Sequence, residues 1–104
     1  MKRYLAAIAA LATCFAVSTP ALADAALATA KNCTSCHAVD KKVLGPSYKE
    51  VATKYAGQAD AVDKLASKIM KGGSGAWGPV PMPANAQVSA DEAKKLVTWI
   101  LTLK

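Results

Sequence analysis

The sequence predicts an all-α fold, a small single domain of about four helices, and three observations carry that prediction. Ser47 with Glu50, and Ser89 with Glu92, are capping boxes that each open a segment with apolar residues at helical spacing. A third such segment, Val62 to Met70, lies between them and stops at Gly72-Gly73. No convincing strand is present anywhere along the chain.

The elements follow in order. Met1 to Ala23 reads as a secretory signal peptide: Lys2 and Arg3 give a positive start, Leu5 to Val17 is apolar, and Ala21-Leu22-Ala23 is a small-x-small cleavage site. The apolar run is short for a membrane span, and Ser18, Thr19 and Pro20 interrupt it. Thr13-Cys14 faintly resembles a lipoprotein box, although threonine suits the position before the cysteine poorly. The working domain is then expected over 24–104, which is 81 of the 104 residues. Asp24 is placed to cap a first helix through Leu27 and Ala28. The second helix begins at Pro46-Ser47 and ends at Gly57, with Tyr48, Val51, Ala52 and Tyr55 on one face. The third runs from about Asp60 to Lys71, with Val62, Leu65, Ala66, Ile69 and Met70 in register. The last carries Ala93, Leu96, Val97, Ile100 and Leu101 as a single stripe.

Between the first two helices stands Cys33-Thr34-Ser35-Cys36-His37, the C-x-x-C-H pattern of covalent haem attachment. Residues three apart share one helical face, so two sulfurs can reach one flat macrocycle and add to its vinyl groups. The imidazole that follows falls close to the iron as its proximal ligand. A thioredoxin-like redox pair needs a βαβ context that is missing here. A zinc site needs four ligands, and with Cys14 removed the chain offers two cysteines and one histidine. An interior this small rarely sustains a fold alone, and a covalently held haem is a staple of the kind small scaffolds use.

The long segment from Gly72 to Val88 has Gly72, Gly73 and Gly75 before Trp77-Gly78-Pro79-Val80-Pro81-Met82-Pro83, a composition that excludes helix and central strand. So long a structureless segment is functional or disordered, and its prolines and apolar residues favour an ordered, functional loop. It is expected to bring Met82 to the sixth iron position. His37 is the only histidine, and Met70, the other candidate thioether, sits on a core stripe. A lysine ligand or an open sixth position are the alternatives.

Charge narrows the partners. Lys2 and Arg3 leave with the signal, so eleven lysines face 7 acidic residues and the formal charge falls from +6 to +4. A modestly basic exported protein without a nucleic-acid motif is not expected to bind nucleic acid. Lys31, Lys41, Lys42 and Lys49 lie near the attachment motif, where they could steer an acidic redox partner.

Together with Leu44-Gly45-Pro46, Asn85 and the final amphipathic helix, the C-x-x-C-H and Trp77–Pro83 motifs resemble the short bacterial class I cytochromes c of the cytochrome c-551 type. The resemblance covers nearly all of 24–104. It implies one c-type haem wrapped by the helices and held by two thioether bonds, with His37 and Met82 as axial ligands and Cys33 and Cys36 as anchors. It further implies that the Pro46 carbonyl accepts from the free His37 nitrogen, that Trp77 donates to a haem propionate, and that Asn85 steadies the methionine side. Trp77 also has a plain reading as a core aromatic, and Asn85 as a turn residue. Family members often carry an aromatic in the first helix where this chain has Ala26-Leu27-Ala28-Thr29. A loose contact between the terminal helices is therefore expected, and Ala28→Phe is expected to fill it.

The function implied is that of a soluble periplasmic electron carrier, monomeric and not an enzyme, passing single electrons from a membrane-bound or periplasmic donor to a terminal reductase or oxidase. A haem enzyme or gas sensor with an open or easily displaced sixth site is the alternative class, and the absence of a second histidine or of any arginine after Arg3 argues against it.

Overall fold

The structure, a computed structural model, describes residues 12–14 and 20–103. Most of the expected signal segment therefore lies outside the described residues. Four α-helices follow: α1 (Pro20–Ala30), α2 (Tyr48–Lys54), α3 (Ala61–Lys71) and α4 (Ala90–Ile100), with a single 3-10 turn at Cys33–Ser35 after α1. The described residues contain no strand, only two isolated bridges, His37 with Lys42 and Gly73 with Met82.

Helix α1 starts a turn earlier than its expected cap. Proline suits the first helical position and the alanines and leucine that follow are strong helix formers, so Asp24 lies inside the helix and is buried. The helix ends where Asn32 takes a left-handed conformation, φ 63°, which asparagine tolerates better than most residues. Helix α2 has the predicted box: Glu50 N–H donates to Ser47 Oγ at 3.1 Å and Ser47 N–H to Glu50 Oε2 at 2.9 Å. Tyr48, Val51, Ala52 and Tyr55 are buried as a set. Helix α3 begins just after Asp60, which stands at its N-cap and makes no side-chain cap bond.

Helix α4 is the centre of the packing and touches α1, α2 and α3. Its box is closed by Glu92 N–H to Ser89 Oγ at 3.2 Å and Ser89 N–H to Glu92 Oε1 at 3.0 Å. Leu96 and Val97 are each only 1% exposed, and full burial of such side chains contributes about 1.5–3 kcal/mol apiece. Trp99, off the predicted stripe, is buried as well and meets the Tyr48 ring edge-on, centroids 5.5 Å apart. The expectation of a loose seam between α1 and α4 is not met at Ala28, which is 1% exposed and part of the core. A phenyl ring at that position must displace its neighbours.

Candidate functional site

Three segments wall a cleft of about 860 Å³: the turn 33–37, the return segment 42–48 and the loop 73–85. Its size and mainly apolar lining are those of a cofactor site. Cys33, Cys36, His37, Pro46, Met82, Trp77 and Asn85 all line it. All seven site residues expected from the sequence are thus brought together.

The first wall is built locally. Cys36 N–H and His37 N–H both donate to Cys33 O, at 3.2 and 3.0 Å, a tight turn that sets both half-buried thiols beside the imidazole. Gly45 N–H donates to Cys36 O at 2.8 Å and so folds the return segment onto the motif. His37 Nδ1 then lies 2.7 Å from Pro46 O. A carbonyl can only accept, so Nδ1 carries a proton, and the neutral tautomer this selects has its lone pair on Nε2. The Tyr48 ring stacks on the imidazole, centroids 5.5 Å apart and planes 20° from parallel. On the Gly45 side the fit is close enough that a Cβ would strike the His37 ring.

The opposite wall depends on where α3 stops. Gly72 has φ 71°, and a Cβ there would run into the Met82 carbonyl oxygen. Next to it, Gly73 N–H donates to Met82 O at 3.0 Å and Met82 N–H to Gly73 O at 2.8 Å, closing the loop at its base. Asn85 holds the exit: its backbone N–H and its Nδ2 both donate to Ile69 O, at 3.1 and 2.9 Å, and Nδ2 also reaches Pro83 O at 3.3 Å. Asn85 thus ties the exit of the loop to the end of α3. Met82 is half-buried on the cleft wall, whereas Met70 packs against the core and does not line the cleft.

Trp77 stands at the mouth, 43% exposed. The plain reading of it as a core aromatic is therefore corrected: the glycine-rich segment carries it outward, where Lys54 Nζ sits 4.3 Å from its ring centroid. Sequence reasoning missed three contributors to the site. Tyr48 and Gly45 flank the imidazole, and the only local signal was their nearness to Pro46. Lys54 bonds across 22 residues of sequence and left no local signal.

Electrostatics follow burial. Desolvation pushes the Cys33 thiol above its ordinary value, and it raises the Tyr48 hydroxyl further, with Cys33 adding to the effect. The Tyr48 hydroxyl is buried and has no hydrogen-bond partner among the described residues. Adjacent thiols, an imidazole with a free Nε2, a thioether on the facing segment and apolar walls form a donor set that fits a haem attached through a C-x-x-C-H motif.

Of the lysines expected to steer a partner, Lys31 pairs with Glu92 at 3.1 Å and Lys49 with Asp40 at 2.5 Å. That leaves Lys41 and Lys42 without an ion-pair partner among the described residues, next to exposed Val43 and Leu44.

Comparison with known proteins agrees with this geometry. The family model described as cytochrome c matches residues 23–104. The cytochrome c-551 of Allochromatium vinosum is 54% identical over 91 residues, covering 88% of this chain and 97% of that protein. The crystal structure of Nitrosomonas europaea cytochrome c552 superposes with a TM-score of 0.75 at 54% identity, covering 77% of this chain and 99% of its own. A class 1 cytochrome from Sideroxydans lithotrophicus gives 0.70 at 40% identity, covering 83% and 98%.

Proposed function

This chain belongs to the cytochrome c family, as an electron-transfer protein and not an enzyme, and from that premise we propose that it is a periplasmic carrier whose single haem is ligated by His37 and Met82. Family membership implies a covalently bound haem; the proposal assigns its two thioether bonds to Cys33 and Cys36. The haem supplies a one-electron ferric–ferrous couple.

The observation that carries the reading is the pairing of the two walls: His37 with its Nδ1 proton committed to Pro46 on one, Met82 locked to Gly73 on the other. The Pro46 bond fixes the ring and raises the basicity of Nε2. The Met82 thioether, as the second ligand, would favour reduced iron and so raise the potential. With His37 and Met82 both holding the iron, the haem would offer no open position for substrate. Asn85 keeps Met82 in place through Ile69 and Pro83, and the Trp77 indole N–H at the cleft mouth is assigned to a propionate.

The exposed rim of the cleft is where a bound haem would meet a partner. Val43, Leu44 and Val80 stand out from the surface at 46%, 65% and 65% exposure, and they form the apolar contact for a redox partner. Lys41 and Lys42 orient an acidic one, donor or acceptor, during encounter. The carrier works as a monomer after export and removal of residues 1–23.

A reductive titration of the purified holoprotein followed optically, with a carbon monoxide challenge of the reduced form, tests this. A reversible one-electron transition with no ready carbon monoxide binding is the expected result. Rapid binding would mean an open iron and would overturn the carrier reading.

A further inference from the structure

The loop between Gly73 and Met82 is closed at its base and bare at its tip. The base has the reciprocal Gly73–Met82 bonds, and Gly75 N–H donates to Gly78 O at 2.9 Å within the tip. Residues 74–77, 79 and 80 are all exposed. Among the described residues, a single hydrogen bond joins 74–81 to the rest of the fold: Lys54 Nζ donates to Ala76 O at 2.6 Å.

Lys54 is suited to that contact in three ways. It is the last residue of α2, where a cation also complements the helix C-terminus. Its ammonium lies 4.3 Å from the Trp77 ring centroid and 5.8 Å from that of Tyr55, so it bridges a loop aromatic and a buried core aromatic. Its bonded acceptor is the carbonyl immediately before Trp77, so bond and ring contact hold the same peptide.

We propose that Lys54 is a positioning residue for the methionine side of the cleft: by tying the loop tip to α2 it limits the opening that carries Met82 away from bound iron. The inference rests on the ligation proposed above. The mechanical link is short, because Met82 and Trp77 belong to one segment whose other fixed points within the protein, among the described residues, are the Gly73 bridge and the Asn85 exit. A tip released from α2 lets the segment swing about its base.

The test uses the holoprotein with Lys54→Met, which keeps the stem but removes donor and charge, and Lys54→Arg, which keeps both. Lys49→Met is the control, removing the same charge from α2 at a residue paired with Asp40. Two quantities are read: amide exchange at Gly73, Gly75 and Met82, and the affinity of the ferric protein for added imidazole, which binds where methionine has left. Lys54→Met should raise both about five- to tenfold. Exchange at Leu96 and Val97 should not move, and Lys54→Arg and Lys49→Met should match the parent. Parent-like exchange in Lys54→Met would overturn the proposal, as would an equal rise in Lys49→Met. Faster exchange with unchanged imidazole affinity would also overturn it while leaving the His37–Met82 ligation standing. A parent protein that binds imidazole without displacing a sulfur ligand would overturn the ligation itself.

Discussion

The Nδ1 atom of His37 lies 2.7 Å from the carbonyl oxygen of Pro46, and the neighbouring Gly45 has room only for a hydrogen on the side that faces the imidazole. Bond and close packing act on the same ring, one from its edge and one from its face. Gly45→Ala should therefore tilt the ring, lower holoprotein stability by about 1–3 kcal/mol and weaken iron ligation. Thermal unfolding of the holoprotein checks this; an unchanged melting temperature would mean the return segment yields without cost.

Gly72→Ala addresses the facing wall. At φ 71° an alanine is strained, and its Cβ meets the Met82 carbonyl oxygen and the start of the loop's exit. A loss of about 3 kcal/mol is expected, together with faster amide exchange at Met82. Denaturant titration gives the first quantity and exchange the second.

Ala28→Phe should destabilise the protein by about 1–3 kcal/mol, because Ala28 is 1% exposed within the core. The sequence alone suggests the opposite sign, since the first helix lacks an aromatic. A higher melting temperature would show that the seam between α1 and α4 has unused space.

Glu92 couples the α4 cap to the approach to the haem motif. Its carboxyl is held below the ordinary carboxylate range, first by its cap bond at Ser89 and then by Lys31. A lowered folded value means the stabilisation is present above the unfolded carboxylate range, near 4.5, and is lost as pH falls through the folded value. Glu92→Gln should melt below the parent at pH 7 and match it in strong acid. A difference that persists in acid would assign the effect to the cap geometry and not to charge.

Much of the architecture was legible because it is written locally. The boxes at Ser47 and Ser89 place two helices, Gly72 stops a third, and the C-x-x-C-H spacing names the wall on which His37 stands. Met82 was legible by its proline frame. What was not legible depends on chain segments far apart: Lys31 and Gln87 exchange bonds across 56 residues, Nζ to O at 3.0 Å and Nε2 to O at 3.1 Å, and Lys54 reaches Ala76 across 22. Neither leaves a periodic or spaced signal. Asp24 misled because a capping residue type also occurs inside a helix when a better start, Pro20, lies one turn before it.

The most direct test of the ligation is the far-red sulfur-to-iron charge-transfer band of the ferric protein, measured in the parent, Met82→Ala and Met70→Leu. The band should be present in the parent and in Met70→Leu and absent from Met82→Ala. A band that survives in Met82→Ala, or disappears in Met70→Leu, would contradict the assignment of Met82 to the iron.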